Sequence, residues 1–505
     1  MLRFGPTEEG IPPHPRREPR LPGPLTGAAL EAAFRDCADF SGRPVLIGGD
    51  PAKSASAWFL QGQVRTERMN DYILRPLALS ARLREAGREE AVEQILTGAV
   101  YSQTCALCRT LDEAALALVD GAVVLDFPGD GRMLVFPVPT EEKRSVAPPE
   151  DEPSVMGAKD AFVESLRTNT SLVRRRLRAP ELKIAETVAG RQSLTPVDVL
   201  WLEGIADPAL ADRVRRQAAA IDTDGILEPA SLEEQLTGQA RTAFPLLVRT
   251  QRPDRFCAGL LEGRVGILAD GLPLGWLLPG TVGEFLRTGQ DRSQNWAAAS
   301  ALSLLRYACM LLSLFLPAVY VAAVNFHPEM LPARLARSVS QARADVPFSS
   351  VFEVLILLLA FEVLQEAGLR LPGPVGQTVS ILGGLVVGSA AVEARIVSPV
   401  VLIVVALAGV AGYTMPSQAF SNALRLWRFA LTAAGSLGGL FAVTGLACVL
   451  LGRLSRLESF GVPYLAPFAA GDRQRRRGYG VLRWPAPRVK LRPGILHPRN
   501  VRRQG

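Results

Sequence analysis

The hydrophobic pattern changes character near residue 296. Before it, apolar residues alternate with polar ones in short stretches; after it, they run together for the length of whole helices. The run from Val375 to Val392 is apolar or small except at Gln377, Thr378, Ser380 and Ser389. At 1.5 Å per helical residue it extends roughly 27 Å, close to the ~30 Å hydrocarbon core of a bilayer. After the polar break Glu393-Ala394-Arg395, Ile396 to Met415 forms a second run, apolar all round as no surface helix of a soluble domain would be. Ala298 to Val324 and Leu426 to Leu451 form two more, the first interrupted by Arg306 and by Pro317, which predicts a kink. Residues 348–367 are equally apolar but carry Glu353, Glu362 and Glu366, a costly set for a simple span. The pattern predicts four membrane spans between 296 and 452, with 348–367 as a buried, re-entrant or pore-side helix.

The first part of the chain predicts alternating helix and strand. Leu25 to Phe40 has a helical pattern, Arg43 to Gly48 and Ala57 to Leu60 read as strands, and a helix follows near Glu67 to Leu77. Residues 119–138 read as a hairpin about Pro-Gly-Asp-Gly. The order then repeats. Trp58-Phe-Leu-Gln-Gly62 aligns with Leu200-Trp-Leu-Glu-Gly204, Glu93-Gln-Ile-Leu-Thr-Gly98 with Glu234-Gln-Leu-Thr-Gly238, and Asp120-Gly-Ala-Val with Glu262-Gly-Arg-Val. The fold class expected is therefore an α+β region of two similar α/β halves, 27–140 and 181–290, followed by an α-helical multi-span membrane domain and a basic tail, 453–505. Residues 1–26 are expected to be disordered, and 141–180 to hold a Pro-rich acidic linker and a helix ending in Arg174, Arg175 and Arg176, cations that suit the negative pole of the helix dipole.

Within the apolar runs a few residues stand out. Gly384 and Gly388 are four apart, as are Gly435 and Gly439, the spacing at which two helix backbones can approach closely. Thr378, Ser389 and Glu393 project to one side of their helix; Glu362 and Glu366 share a face of theirs, and Glu353 lies nearly opposite Glu362. One reading makes these polar groups the lining of an ion pathway. The other has the hydroxyls bonding to their own backbone and the carboxylates pairing with Arg306 or Arg370.

Composition agrees with a divided chain: 505 residues, 48% hydrophobic and 21% charged, with mean hydropathy +0.18. From Arg453 onward thirteen Lys and Arg face two acids, so the net charge of +7 is a property of the tail. That is the positive-inside mark of a cytoplasmic terminus, and no nucleic-acid-binding fold surrounds it. Residues 1–26 lack the apolar core of a signal peptide. Cys105 and Cys108 have neither a second pair nor a histidine nearby, so no metal and no cofactor is expected. With three histidines in the chain and no nucleophile–base pair, an enzyme is not expected either. Gly48-Gly-Asp-Pro-Ala-Lys53-Ser54 resembles a phosphate-binding loop but lacks the glycine before the lysine, and reads as an exposed turn.

Several multi-residue stretches resemble one family. The run LPGPVGQTVSILGGLVVGSAAVEARIVSP from Leu371, the segment FVESLRTNTSLVRRRL from Phe162, Thr250-Gln-Arg252-Pro253-Asp254, LLEGRVGILADG from Leu260, LPAVYVAAVNFHPEMLP from Leu316 and SFGVPYLAPF from Ser459 are similar to the A subunit of the spore germination receptors, the GerA family. Lys159-Asp160-Ala161 departs from the family's Arg-Glu-Gly, which leaves charge pairing there open. The resemblance implies a nutrient-responsive complex in the spore inner membrane with a transporter-like B subunit and a lipoprotein C subunit, and ring assembly of copies into an ion channel; the absent signal peptide and the basic tail lead to the expectation that both termini are cytoplasmic. It marks Arg252, Pro253, Asp254, His327 and Glu329 as motif and partner-contact candidates. A non-conducting scaffold, including the SpoVAF-like branch that acts in germination, is the alternative.

Overall fold

In the computed structural model, residues 21–100, 105–129, 131–140, 149, 152, 157–238, 242–370, 388–466, 468 and 481–503 are described. The expected disorder of 1–20, most of the linker, and most of the run from Val375, with Thr378 and Gly384, lie outside them.

Two five-stranded antiparallel sheets share one strand order. The first comprises β1 (Phe40–Leu46), β2 (Ser54–Leu60), β3 (Ala106–Cys108), β4 (Ala122–Asp126) and β5 (Met133–Pro137), arranged β1-β2-β4-β5-β3. The second comprises β6 (Leu182–Ala189), β7 (Thr195–Leu202), β8 (Val248–Thr250), β9 (Val265–Ala269) and β10 (Gly275–Leu278), arranged β6-β7-β9-β10-β8. The repeated stretches fall in matching places. Trp58 to Gly62 ends β2 as Leu200 to Gly204 ends β7, and Gly121 and Gly263, at φ +87° and +101°, turn the chain into β4 and β9. These φ values exclude most side chains, which is why a glycine recurs there.

The halves are stitched together by the helix Leu166–Arg176 and by a strand-like exchange. Ala38 N–H donates to the Ile184 carbonyl at 2.8 Å, and Ile184 N–H to the Asp36 carbonyl at 3.1 Å. Arg174, in the last turn of that helix as expected, is fully buried and grips Asp39 with two bonds of 2.8 Å. Gln63 donates to Ser171, and Ser171 donates to the Gly62 carbonyl at 3.0 Å. Arg176 pairs with Asp160, so the residues that depart from the family pattern still pair.

At the same junction Asp198 of β7 stands across from Glu186 of β6, with Arg167 bonded to Glu186 and 3.8 Å from Asp198. Asp198 is fully buried, and neither of its oxygens finds a hydrogen bond among the described residues. Burial pushes its carboxyl up to about 7, against the pull of Arg167 and with help from Glu186 and Asp39. The folded chain thus holds a proton that the unfolded chain releases near pH 4. Stability should fall as pH rises from about 4 to 7, by up to ~1.4 kcal/mol per pH unit. Asp198→Asn should flatten that slope in unfolding measurements across pH 4 to 8; an unchanged slope would assign it to another group.

The helical part contains Trp296–Phe326, Ala333–Arg343, Ser350–Arg370, Pro399–Tyr413 and Gln418–Arg456. Among the described residues, two helices, Trp296–Phe326 and Gln418–Arg456, are long and apolar enough to cross a membrane. The second departs from the single span expected over 426–451. Phe420, near its start, stacks on Phe285 with ring centroids 5.9 Å apart. Tyr464, beyond its end, lies 6.0 Å from the same ring and donates its N–H to the Leu457 carbonyl. A straight helix from 420 to 456 would extend ~54 Å, so the helix must double back. It does so at Gly438 (φ −145°, ψ 26°) and Gly439 (φ 58°, ψ −148°), leaving limbs 418–437 and 440–456 side by side.

The tail does not trail free. Ser459 Oγ donates to the Leu246 carbonyl at 2.7 Å and accepts from Gly280 N–H. Tyr464 is fully buried beside Phe244 and Phe285. Arg499 N–H donates to the Ile205 carbonyl, and Arg492 Nε to that of Leu261. The helical region therefore leaves the second α/β half and returns to it.

Candidate functional site in the helical bundle

The helix Ser350–Arg370 is continuous and carries all three glutamates of the expected pore-side segment. Its start is fixed by Ser350 Oγ donating to Asn325 Oδ1 at 2.5 Å, at the far end of Trp296–Phe326. One turn on, Glu353 is fully buried. Its Oε2 accepts the Ser398 N–H at 2.7 Å, and Oε1 lies 3.5 Å from Arg343 Nε. A carboxylate on the N–H of Ser398, the N-cap of the apolar helix Pro399–Tyr413, meets one orphan donor and the positive end of the dipole. Glu353 thus braces the start of that helix from outside it.

Nine residues on, and ~13 Å further along the axis, Glu362 is bonded to Arg428 and lies 3.3 Å from Arg425, both on the limb 418–437. This replaces the expected pairing with Arg306 or Arg370. Arg306 sits at the root of its helix and holds Asp291 with bonds of 2.6 and 2.9 Å. Arg428 is almost fully buried, so its charge is tolerable only with Glu362 against it. Glu366, Ser389 and Glu393 are exposed. Glu393 stands beside the Arg395 turn, which pairs with Asp345, at the Glu353 end of the bundle. No bond links it or Ser389 to Glu362 among the described residues.

The glycines divide. Gly435 is a close-packing position: a Cβ there would lie 2.8 Å from the Ala318 carbonyl oxygen. Gly439 is not its partner on a helix face, as the spacing suggested, but the turn itself, pressed on Phe326 and His327. Among the described residues, Gly388 meets the Leu402 side chain, at an ordinary 3.4 Å. The tightest helix contact in this part is one the spacing rule missed: Gly409 faces the Phe361 ring so closely that a Cβ would stand 2.5 Å away. Arg425 and Arg428 were missed as well, although two cations inside ALRLWRF already required acidic partners.

Of the motif candidates, Arg252 and Pro253 are buried, Asp254 and His327 are half-buried, and Glu329 is exposed. Arg252 is 2% exposed and folds back on Asp254 with bonds of 3.0 and 2.7 Å, while Pro253 opens the helix Pro253–Glu262. The burial of Arg252 and Pro253 corrects their expected role as partner contacts. Burial would raise the Asp254 carboxyl, but Arg252 holds it below the usual carboxylate range. His327 ends the helix Trp296–Phe326 and lies 3.4 Å from Glu329.

The profile of the Bacillus/Clostridium GerA spore germination protein family matches residues 28–495. Spore germination protein B1 of Bacillus subtilis is 34% identical over 456 residues, covering 90% of this chain and 93% of that one. Spore germination protein GerLA of Bacillus cereus is 30% identical over 463 residues, covering 92% and 93%. The crystal structure of the N-terminal domain of the A subunit of the Bacillus megaterium germinant receptor GerK3 aligns with TM-score 0.39 and 25% identity, covering 50% of this chain and 91% of that one. The chain belongs to the GerA family of spore germination proteins.

Proposed function

We propose that this chain is the A-type subunit of a germinant receptor, and that copies of it assemble in the spore inner membrane and pass ions when a transporter-like B subunit and a lipoprotein C subunit respond to nutrient. The observation that carries this reading is the outward apolar face of the bundle. Phe352, Ile356, Leu359 and Val363 form one exposed stripe, Ile403, Leu407 and Val410 another, and Leu437 and Phe441 crown the hairpin at 83% and 88% exposure. Such surface calls for lipid or a second subunit. Because the helical region starts and ends on the same α/β half, its crossings are even in number, and the basic tail argues that this shared side is the cytoplasm.

In a ring of copies, an exposed carboxylate repeats at one level and attracts cations. Glu366→Gln should lower cation current through the purified chain in planar bilayers at least twofold, with abundance unchanged. A second reading, a non-conducting scaffold, is favoured by the engagement of Glu353 and Glu362 in internal contacts. Absence of current from the unmodified chain, with or without its partner subunits, would select it.

A further inference from the structure

The helix Trp296–Phe326 is longer than a bilayer core requires: its 31 residues extend ~46 Å against ~30 Å. Counted down from Phe326, about twenty residues fill the core and end at Arg306 and Tyr307. The turns below this level lie against protein. Ser303 Oγ donates to the Val481 carbonyl at 2.7 Å, and Ser300 Oγ to that of Arg483 at 3.0 Å. Ser303 is only ~4.5 Å below Arg306, within the ~5–8 Å that the polar headgroups add on each side of the core.

At that level a cleft of about 270 Å³ opens between three parts of the chain: Arg255, Arg287 and Arg292 from the second α/β half, Ser303 from the helix, and Arg483 and Arg503 from the tail. Most of its charges are matched. Arg292 bonds Glu262 at 2.9 Å, Arg255 bonds Glu152, and Arg287 lies 3.3 Å from Glu284. Burial alone would push the Glu284 carboxyl up; Arg264, Arg287, Arg292 and Arg255 bring it down to about 2. Two of the cleft arginines are left over. Arg483 donates to the backbone carbonyls of Asp291, Gln294 and Arg292. Neither it nor Arg503 has a carboxylate within ion-pair distance among the described residues. Trp484 lines the same cleft, an amphipathic ring of the kind that favours a membrane–water boundary.

We propose that this cleft binds the phosphodiester headgroup of an anionic phospholipid, with Arg483 and Arg503 supplying the uncompensated positive charge. The proposal rests on the membrane reading above. A phosphate accepts from several guanidinium forks at once, and basic pockets at the membrane face take such headgroups. Bound there, the lipid bridges tail, helix and α/β half, so the membrane's own charge would tighten the joint between them.

The test uses the full chain in nanodiscs of phosphatidylcholine with and without phosphatidylglycerol, and native mass spectrometry to count retained phosphatidylglycerol. Arg503→Glu should reduce retention at least fivefold, about the worth of one cation at an anionic surface; Arg483→Lys should reduce it less. Arg334→Glu, the same charge change on an exposed residue at the other end of the helix, should leave it unchanged. Equal loss in the Arg334 and Arg503 variants would overturn the site, as would no loss in either. Retention abolished by millimolar inorganic phosphate would assign the cleft to a soluble phosphate. Failure of the unmodified chain to float with vesicles would overturn the membrane reading itself.

Discussion

Replacing Asp39 by alanine should cost about 3–5 kcal/mol, because it leaves the Arg174 guanidinium buried without a counter-charge. Both partners are about 1% exposed, and the pair is held by two bonds of 2.8 Å. It also joins the two halves: Asp39 lies in the entry to β1 and Arg174 on the helix that precedes β6. The loss should therefore loosen one half from the other and leave each sheet's own core in place. Hydrogen exchange should quicken first at Ala38 and Ile184, whose N–H groups span the junction. Asp39→Leu combined with Arg174→Met should recover much of the loss, since an apolar pair of similar volume removes the desolvation problem altogether. A double variant as unstable as Asp39→Ala would show that the position needs charge rather than filling.

Replacing Gly439 by alanine should unsettle the hairpin at its tip. A backbone at φ 58°, ψ −148° belongs to a region populated almost solely by glycine and costs other residues ~1–3 kcal/mol. The new Cβ would also stand 2.9 Å from Phe326 Cβ and 3.0 Å from His327 Nε2. Gly438→Ala, at φ −145°, should cost far less. Spin labels at Leu426 and Val449, both exposed, give a direct measure. Limbs packed side by side bring helix axes to 8–10 Å, whereas an unbroken helix would separate these positions by ~34 Å. The unmodified chain should give the short distance and the Gly439 variant a broadened one. A sharp distance near 34 Å in the unmodified chain would remove the hairpin.

The strands and the internal repeat were legible because their signals are local. Alternation marks β2, the repeated stretch Leu200 to Gly204 marks β7, and glycines in left-handed turns punctuate both halves at the same points. The hairpin was not, since its limbs carry no polar break between Leu437 and Phe441. The Gly435–Gly439 spacing suits a packing face and a turn equally well. The adjacent pair Gly438-Gly439 was the usable signal. The partners of the membrane carboxylates were hidden by distance. Glu362 meets residues 63 and 66 positions away, and the nearer cation in sequence, Arg370, lies in its own helix. Arg252 and Asp254 stood out as a motif, but nothing in three letters says that the side chains face inward. In the tail, counting charge missed the docking, because the arginines there are spent on backbone carbonyls such as those of Leu261 and Arg292.

The docking of Tyr464 has a consequence for biosynthesis. Phe244 and Phe285 are made before any of the long apolar helices, yet the ring that closes their cluster emerges after all of them. On the ribosome the second α/β half must wait, with an apolar face open, until the last helix limb has been made. Completion of that core thus depends on the helical part having folded back to bring Tyr464 home.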